Sequence, residues 1–359
     1  MQIGLVGLQF SGKTTLFNTL TGKTEMSFSS GEEAQLEVVK VPDERLDKLT
    51  EIFNPKKKVN ATIEIFDTPG LRMSDDGKVK ITSQFLNNVK NNDALFFVVR
   101  QFSSDSVSHP MGDVDPARDI EFLETEFLLS DLAFLENRLE KLKKDYQKNK
   151  DEKIKRELEL IERCHSHTEN ELPLRTLDFS DEELKILSGY QLLTQKKLAI
   201  AINFDENSIS DSAEIIASIK DRLQDKSVTI IPFSAQIEFE LSSLDDEDKA
   251  EFMADYGIKE SALNKILRTS YEILGLQSFF TVGEDECRAW TIKKNYTAQD
   301  AAGVIHTDFY NRFIRAEVVH YKDFLEHGSF AKCKEAGAWR LEGKDYIVKD
   351  GDILNIRHN

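Results

Sequence analysis

Cysteine is scarce in this 359-residue chain: there are 3, at Cys164, Cys287 and Cys333. Their wide spacing excludes a disulfide framework and the paired-cysteine zinc motifs, and it suits reduced thiols. No apolar run approaches the ~20 residues of a membrane span, and no secretory leader precedes the first strand pattern. The expectation is a soluble, cytoplasmic protein with no membrane partner. Basic residues are in deficit, with Lys+Arg 47 against Asp+Glu 64 and a formal net charge of -17. Such a field disfavours nonspecific binding to DNA or RNA and leaves that task to local basic patches. Between Asp119 and His167 both glycine and proline are missing. That absence, with Leu128, Leu132, Leu135, Leu139 and Leu142 at helical spacing, predicts a long helix of about 27 residues, roughly 40 Å. After a polar break at Gln147 to Asp151, Ile154, Leu158 and Ile161 continue the pattern, so two helices folded as an antiparallel hairpin fit best. The hairpin is either a purely structural coiled-coil arm or one that also touches a partner.

Against these absences stands one strong motif. Gly7-Leu8-Gln9-Phe10-Ser11-Gly12-Lys13-Thr14 fits G-x-x-x-x-G-K-[ST]. Gln2 to Val6 before it reads as a buried strand, and Thr15 to Leu20 after it as a helix. Strand, glycine loop and helix together wrap a phosphate with backbone N–H groups and a helix N-terminus. Phe10, Ser11, Gly12, Lys13, Thr14 and Thr15 are the expected phosphate-binding set. Lys13 would reach the β- and γ-phosphates, and Thr14 would offer its hydroxyl to Mg²⁺.

The rest of the first 118 residues alternates strands and helices. Thr62 to Phe66 reads as a strand ending at Asp67-Thr68-Pro69-Gly70, with Asp67 a second candidate for Mg²⁺ and the Gly70 N–H placed to sense a γ-phosphate. Ala94 to Val99 reads as a strand buried on both faces of a parallel sheet. The α/β pattern resumes at Lys197 to Asn203 and at Val228 to Pro232, which makes the helical hairpin an insertion. From Ser278 the texture changes to short strands: Ala289 to Ile292, Ile314 to Val319, Tyr346 to Val348, and Asp352 to Ile356 after a tight turn at Asp350-Gly351. The expected division is therefore 1–118 with 190–276 as a nucleotide-binding domain, 119–189 as the inserted arm, and 277–359 as a small α+β domain.

Asn203-Phe204-Asp205-Glu206 ends its strand at the carboxyl edge of the sheet, where such folds bind ligands. A guanine-reading N-K-x-D motif would stand there in a GTPase. Here Phe204 and Glu206 replace its lysine and aspartate. An Asn amide can pair with adenine N6 and N7, so the motif argues for ATP or for relaxed choice between ATP and GTP. Ser234 and Ala235 would complete the base pocket.

At this point the chain resembles the YchF/Obg-like ATPase family. The resemblance covers essentially the whole length. It rests on the glycine loop, on Val41-Pro42-Asp43-Glu44-Arg45-Leu46-Asp47-Lys48-Leu49, on Val114-Asp115-Pro116-Ala117-Arg118-Asp119-Ile120-Glu121, and on the Asn203 to Glu206 motif. It rests also on Arg288 to Ile292, Ala301 to Phe309 and Phe313 to Val318, which look like the family's C-terminal TGS domain, a small ubiquitin-like fold. The resemblance implies a P-loop GTPase-type, Rossmann-like α/β domain with an inserted arm. It implies ATP preferred over GTP, Mg²⁺, and association with the ribosome and its rRNA through the arm and the TGS domain.

It also implies a catalytic set. The family places an apolar residue where Ras-like enzymes carry a water-orienting glutamine, and Leu71 matches it. A histidine from a mobile loop is thought to act instead, and His109 matches that position. On the residues alone His109 is equally a solvent-exposed loop histidine. With Lys13 and Gly70 it forms the expected catalytic group. Three places depart from the family pattern. Phe10 stands where a cation-linked asparagine is usual, so the ligand for potassium stimulation is missing. The first switch reads Ser27 to Glu33, with Gly31 at the place of a Mg²⁺-binding threonine and Ser29 or Ser30 as substitutes. The second switch reads Arg72 to Lys80. Two other readings follow: a nucleotide switch with little hydrolysis, and an RNA or ribosome adaptor. The adaptor would use Lys56-Lys57-Lys58, Lys141 with Lys143-Lys144, and Arg312 with Arg315.

Overall fold

The computed structural model describes residues 1–23, 34–71, 81–104, 107–255, 258 and 260–359. In chain order the strands are β1 (Gln2–Val6), β2 (Gln35–Lys40), β3 (Lys57–Val59), β4 (Thr62–Asp67), β5 (Ala94–Arg100), β6 (Lys197–Asn203), β7 (Thr229–Phe233), β8 (Leu276–Thr281), β9 (Glu286–Lys293), β10 (Phe313–His320), β11 (Arg340–Glu342) and β12 (Asp352–His358). The helices are α1 (Lys13–Leu20), α2 (Glu44–Phe53), α3 (Ser83–Lys90), α4 (Pro116–Asn149), α5 (Glu152–Glu169), α6 (Asp181–Leu187), α7 (Ser212–Arg222), α8 (Ala235–Ser243), α9 (Asp246–Asp255), α10 (Ala262–Ile273), α11 (Ala298–Ile305), α12 (Thr307–Asn311), α13 (Tyr321–His327) and α14 (Phe330–Glu335). They fall into two compact units. The first is Met1–Glu37 with Glu64–Ile266, and the second is Val38–Ile63 with Leu267–Asn359.

The first unit is built on a sheet of order β2-β4-β1-β5-β6-β7. Strands β4, β1, β5, β6 and β7 pair in parallel, with Leu5 opposite Asp67 and Phe96, and Val99 opposite Ile202. Every residue of β5 is buried, as a run without polar alternation requires. One face packs Val6, Leu8, Leu71, Phe97 and Ile202 against Ile120, Leu123 and Phe127 of α4. Because these strands run the same way, the loops after β1, β4, β5, β6 and β7 all leave at one edge, the edge where parallel sheets bind ligands.

Helix α4 has 34 residues, longer than the 27 expected, and spans about 50 Å. The excess lies at both ends. Asp115 caps the helix by accepting from Arg118 N at 3.0 Å, and Pro116 occupies the first turn, where its missing N–H costs nothing. At the far end Lys150 turns left-handed (φ 48°) and Asp151 caps α5. The returning helix packs Leu160, Ile161 and Cys164 against Leu135, Leu139 and Leu142. Asp131, buried on α4, accepts from Leu193 N at 2.8 Å and Thr194 N at 2.7 Å, which fastens the arm to the segment that leads into β6.

The second unit holds a sheet of order β11-β10-β12-β8-β9-β3. Its core joins Phe279 and Ile292 to Ala298 and Ala301 of α11 and to Ala316, Val318 and Leu354. Residues 38–63 cluster with the second unit, where β3 pairs in parallel with β9 (Lys57 opposite Glu286, Val59 opposite Arg288), while β2 and β4 at the two ends of that segment belong to the first sheet. One expectation is corrected here. Tyr346 to Val348 is no strand. Apart from one isolated bridge from Ile347 to Thr297, its backbone is spent at the start of α11: Ala298 N bonds Tyr346 O at 2.7 Å, and Val348 N bonds Tyr296 O at 3.0 Å.

Candidate functional site

The glycine loop leaves β1 and enters α1 as its sequence requires. A side chain at Gly7 would put its Cβ 2.4 Å from Val98 O, so only glycine lets the loop cross β5. Gly12 takes φ +91° at the helix N-cap, and a Cβ there would lie 2.1 Å from Asn203 Nδ2. Phe10 also adopts positive φ (63°), with half of its surface exposed. Helix α1 has no side-chain cap and no acidic residue in its first turn. Its N-terminal N–H groups and positive dipole end are therefore left for an anion. Ser11 Oγ is buried without a hydrogen-bond partner beside this turn. Thr15 stands one residue further along α1, and its carbonyl accepts from Thr19 Oγ1.

Lys13 and Thr14 meet the loop after β4. Lys13 is 5 % exposed and its Nζ donates to Asp67 Oδ1 and to Thr68 O. Thr14 Oγ1 donates to Asp67 Oδ2 at 3.0 Å. A hydroxyl and a carboxylate side by side are hard oxygen donors of the kind Mg²⁺ takes, so Thr14 and Asp67 fit that ion. Among the described residues no cluster of three or more His, Cys, Asp or Glu could hold a metal by itself. Gly70 stands open, with Gln9 Cα 3.5 Å from where its Cβ would be. Leu71 is buried in the core and forms a rung with the glycine loop, Gln9 N to Leu71 O at 2.9 Å and Leu71 N to Gly7 O at 3.3 Å. The first-switch residues Ser27 to Glu33, including Ser29, Ser30 and Gly31, and the second-switch residues Arg72 to Lys80 lie outside the described residues.

His109 follows β5 and is not a solvent-exposed loop residue: it is 8 % exposed. Its Nδ1 accepts from Met111 N at 3.1 Å, so the ring proton sits on Nε2 and is donated to Asp119 Oδ2 at 2.9 Å. A tight turn closes around it, with Gly112 N bonding His109 O at 3.0 Å. Burial pushes the Asp119 carboxyl above its ordinary value, more than Arg118 and His109 pull it down. Arg100, at the end of β5, holds the start of this loop by donating to Phe102 O and Val107 O. Sequence reading missed Arg100 and the Asp119 clamp, although Arg118-Asp119 stood in a stretch that carried the family resemblance.

Asn203 is a brace. Its Nδ2 donates to Ser11 O at 3.2 Å and its Oδ1 accepts from Ala235 N at 3.0 Å. The amide expected to read a base is thus partly spent on joining the glycine loop to α8. Phe204 turns its ring into the core, 1 % exposed, and its N–H bonds Phe233 O, so its side chain does not line the ligand edge. Asp205 caps its own turn through Asn207 N and Ser208 N. Glu206 is exposed and no hydrogen bond or ion pair engages it among the described residues. Ser234 caps α8 at Ile237 N. Among the expected site residues, Phe10 to Thr15, Asp67, Gly70, Asn203, Ser234 and Ala235 come together at one edge of the sheet, while Phe204 faces inward.

The basic runs fare differently. Lys56, Lys57 and Lys58 are each paired, with Asp285 at 2.8 Å, Glu286 at 3.8 Å, and Asp47. Lys143 and Lys144 pair with Glu162 and Glu140. No ion pair engages Lys141, Arg312 or Arg315 among the described residues.

Comparison with known proteins gives the family. Residues 2–127 match the family model described as 50S ribosome-binding GTPase. Residues 276–359 match YchF-GTPase_C, described as a protein of unknown function. The Ribosome-binding ATPase YchF of Bacillus subtilis is 39% identical over 361 residues, covering 99% of this chain and 98% of the relative. The protein of that name from Haemophilus ducreyi is 40% identical over 360 residues, with the same coverage. The solved structure of the Schizosaccharomyces pombe YchF GTPase superposes with a TM-score of 0.88 at 33% identity, covering 99% of this chain and 97% of that one. With near-complete coverage at this identity, and with a glycine loop, Lys13, Thr14 and Asp67 assembled as described, the chain belongs to the YchF family of P-loop ATPases and GTPases.

Proposed function

We propose that this chain is a Mg²⁺-dependent ATPase that cycles on the ribosome, with the nucleotide held between the glycine loop and the Asn203 to Glu206 turn. The observation that carries the reading is the uncapped, acid-free N-terminus of α1 beside the buried Lys13 and the Thr14–Asp67 pair. Such a cradle binds a triphosphate by dipole, cation and hard oxygen together. Thr14 and Asp67 would hold Mg²⁺, which neutralises phosphate charge when bound. Lys13 then moves from Asp67 to the phosphates. Positioning and charge neutralisation supply nearly all the rate in phosphoryl transfer, so Lys13 and the Gly70 N–H matter more than any single base.

His109 positions or deprotonates the attacking water. Both of its ring nitrogens are engaged in the present arrangement, so this role requires the turn at 109–112 to open. That requirement supports slow turnover. The free carboxylate of Glu206 favours adenine, because it can accept the N6 amino proton, where guanine would present O6, another acceptor. Contact with the ribosome falls to the arm and the C-terminal domain. Of the basic runs, Lys141, Arg312 and Arg315, which no ion pair engages among the described residues, are assigned to rRNA phosphates, and the paired Lys56 to Lys58 are not.

Calorimetric titration of the whole chain with ATP and with GTP, each with Mg²⁺, tests the nucleotide assignment. ATP is expected to bind tighter. Tighter GTP binding sinks the role given to Glu206. Ribosome cosedimentation with and without Mg²⁺-ATP tests the second half: association that ignores nucleotide fits an adaptor and contradicts a switch.

A further inference from the structure

The second unit holds a cleft of about 630 Å³ whose lining includes none of the residues assigned to the nucleotide. Its lining includes four consecutive residues of one strand, Ile353 to Ile356, and then His358. Consecutive strand residues point to opposite faces, so only an edge-on approach can touch all of them. One edge of β12 is taken. It pairs with β10 along its length, from His320 opposite Asp352 to Phe313 opposite His358. On the other edge β8 pairs only at Phe280 opposite Ile353 and then turns away at Thr281. The cleft is the gap in the sheet where β8 has ended and β12 continues.

An open strand edge in a sheet presents a ladder of backbone donors and acceptors, and the group that matches it rung by rung is another extended backbone. The walls suit such a guest. Trp290 is fixed by its indole N–H to Thr281 Oγ1 at 2.9 Å and by stacking on Phe279. Phe309 stacks on His358 with centroids 4.0 Å apart. Phe330 and Trp339 also line the cleft. Rigid aromatic walls beside an edge give apolar side chains of the guest a place to pack.

The charges indicate what else the guest carries. Glu317 is held by Arg357 and by Asn355 at 2.8 Å, and Glu286 by Arg288 at 3.2 Å and Lys57 at 3.8 Å. Lys334 makes no ion pair among the described residues and lies 4.5 Å over the Trp339 ring, within electrostatic reach of Glu317, a carboxylate that Arg357 already pairs. The uncompensated charge in the cleft is therefore positive. The unit as a whole is almost neutral, with 19 Lys and Arg against 18 Asp and Glu, so no broad field draws a polyanion such as RNA to it. We infer that this cleft captures an extended peptide segment of another protein, added as a strand beside β12, with alternating apolar side chains and an acidic residue that meets Lys334. This inference goes beyond the nucleotide reading and stands without it.

The test titrates ¹⁵N-labelled full-length protein with a terminally blocked octapeptide of alternating Thr and Val containing one central Glu. Saturable shifts are expected at the amides of Leu354 to His358. They are expected to vanish when every second peptide amide is N-methylated, which blocks strand pairing and keeps the side chains. Lys334→Glu, an exposed change, is expected to weaken binding at least about fivefold. Absence of a saturable shift at these amides overturns the proposal, as does equal binding of the N-methylated peptide. Unchanged affinity in Lys334→Glu overturns the acidic part of it. A uridine octanucleotide that moves the same amides more strongly assigns the cleft to RNA and overturns it. Shifts that grow with protein concentration alone assign it to a second copy of the chain and overturn it as well.

Discussion

Gly12→Ala tests the link between the phosphate grip and the base-side turn. Two costs follow from the geometry. A non-glycine residue at φ +91° costs about 1–2 kcal/mol. The new Cβ would lie 2.1 Å from Asn203 Nδ2, so the amide must move and release Ser11 O, which is buried, and Ala235 N, which is part-buried. Buried polar groups left unpaired cost about 1–3 kcal/mol each. The single substitution should therefore destabilise the first unit by about 4 kcal/mol. Asn203→Ala forfeits the same two bonds and should cost about 3 kcal/mol. In the double variant the steric conflict is gone and the bonds are lost only once. Its cost should be about 4–5 kcal/mol, well short of the sum, a coupling of about 2–3 kcal/mol.

The assay is urea unfolding without nucleotide, followed by far-UV circular dichroism. Both tryptophans, Trp290 and Trp339, lie in the second unit, so indole fluorescence in the same samples serves as an internal control. The fluorescence transition should not move. Costs that add within about 0.5 kcal/mol would show that Gly12 and Asn203 act independently, and the brace would be refuted.

Three further outcomes are expected. His109→Ala should slow single-turnover ATP hydrolysis by about 100-fold with ATP affinity retained, and an unchanged rate removes His109 from catalysis. Lys13→Ala should destabilise the nucleotide-free protein by about 3 kcal/mol in urea unfolding, because it leaves Asp67 buried and unpaired; adding Asp67→Ala should recover part of that loss, and no recovery contradicts the pairing. Asp350 gives a pH signature in the second unit. Burial raises its carboxyl, but Arg45 and the Ser278 N–H pull it further down, to a net value below the ordinary 3.8. The folded state then binds this proton more weakly than the unfolded state, so the stabilisation is fully present above about pH 4 and fades as pH falls through the lowered value. Asp350→Asn should therefore lie below wild type in tryptophan-detected stability at neutral pH, with the gap closing below pH 4; a gap that is flat with pH refutes the assignment.

What the sequence revealed, and what it hid, follows from the range of the interactions. The glycine loop, β5 and the arm are written locally, in motif spacing, an unbroken apolar run and a helical repeat. The place of Lys56 to Lys58 is not. Three adjacent lysines look like a free basic patch, and their short run has no strand alternation. Only the fold brings Asp285 and Glu286 beside them and makes Lys57 to Val59 an edge strand of the other unit. His109 was visible as a residue, but its burial depends on the first turn of α4 folding back to place Asp119 on its ring. Tyr346 to Val348 failed in the opposite direction: its apolar content suits a strand, while its backbone groups go to Ala298 and Tyr296.

Asn203 carries the most consequential difference. As a sequence motif it is a reader of the base. In the fold one amide group holds the carbonyl of Ser11, the first N–H of α8 and, by exclusion, the side-chain-free Gly12. The glycine loop and the turn after β6 are therefore one mechanical piece. Leu71 ties the residue after Gly70 to the same loop through two backbone bonds. On the proposed reading, discrimination between bases would rest on Glu206, while Asn203 would set how firmly the whole site is held. A substitution at Asn203 should weaken ATP and GTP alike, and one at Glu206 should change their ratio. Titrating Asn203→Ala and Glu206→Gln with both nucleotides separates the two roles, and a changed ratio in Asn203→Ala would return that residue to base reading.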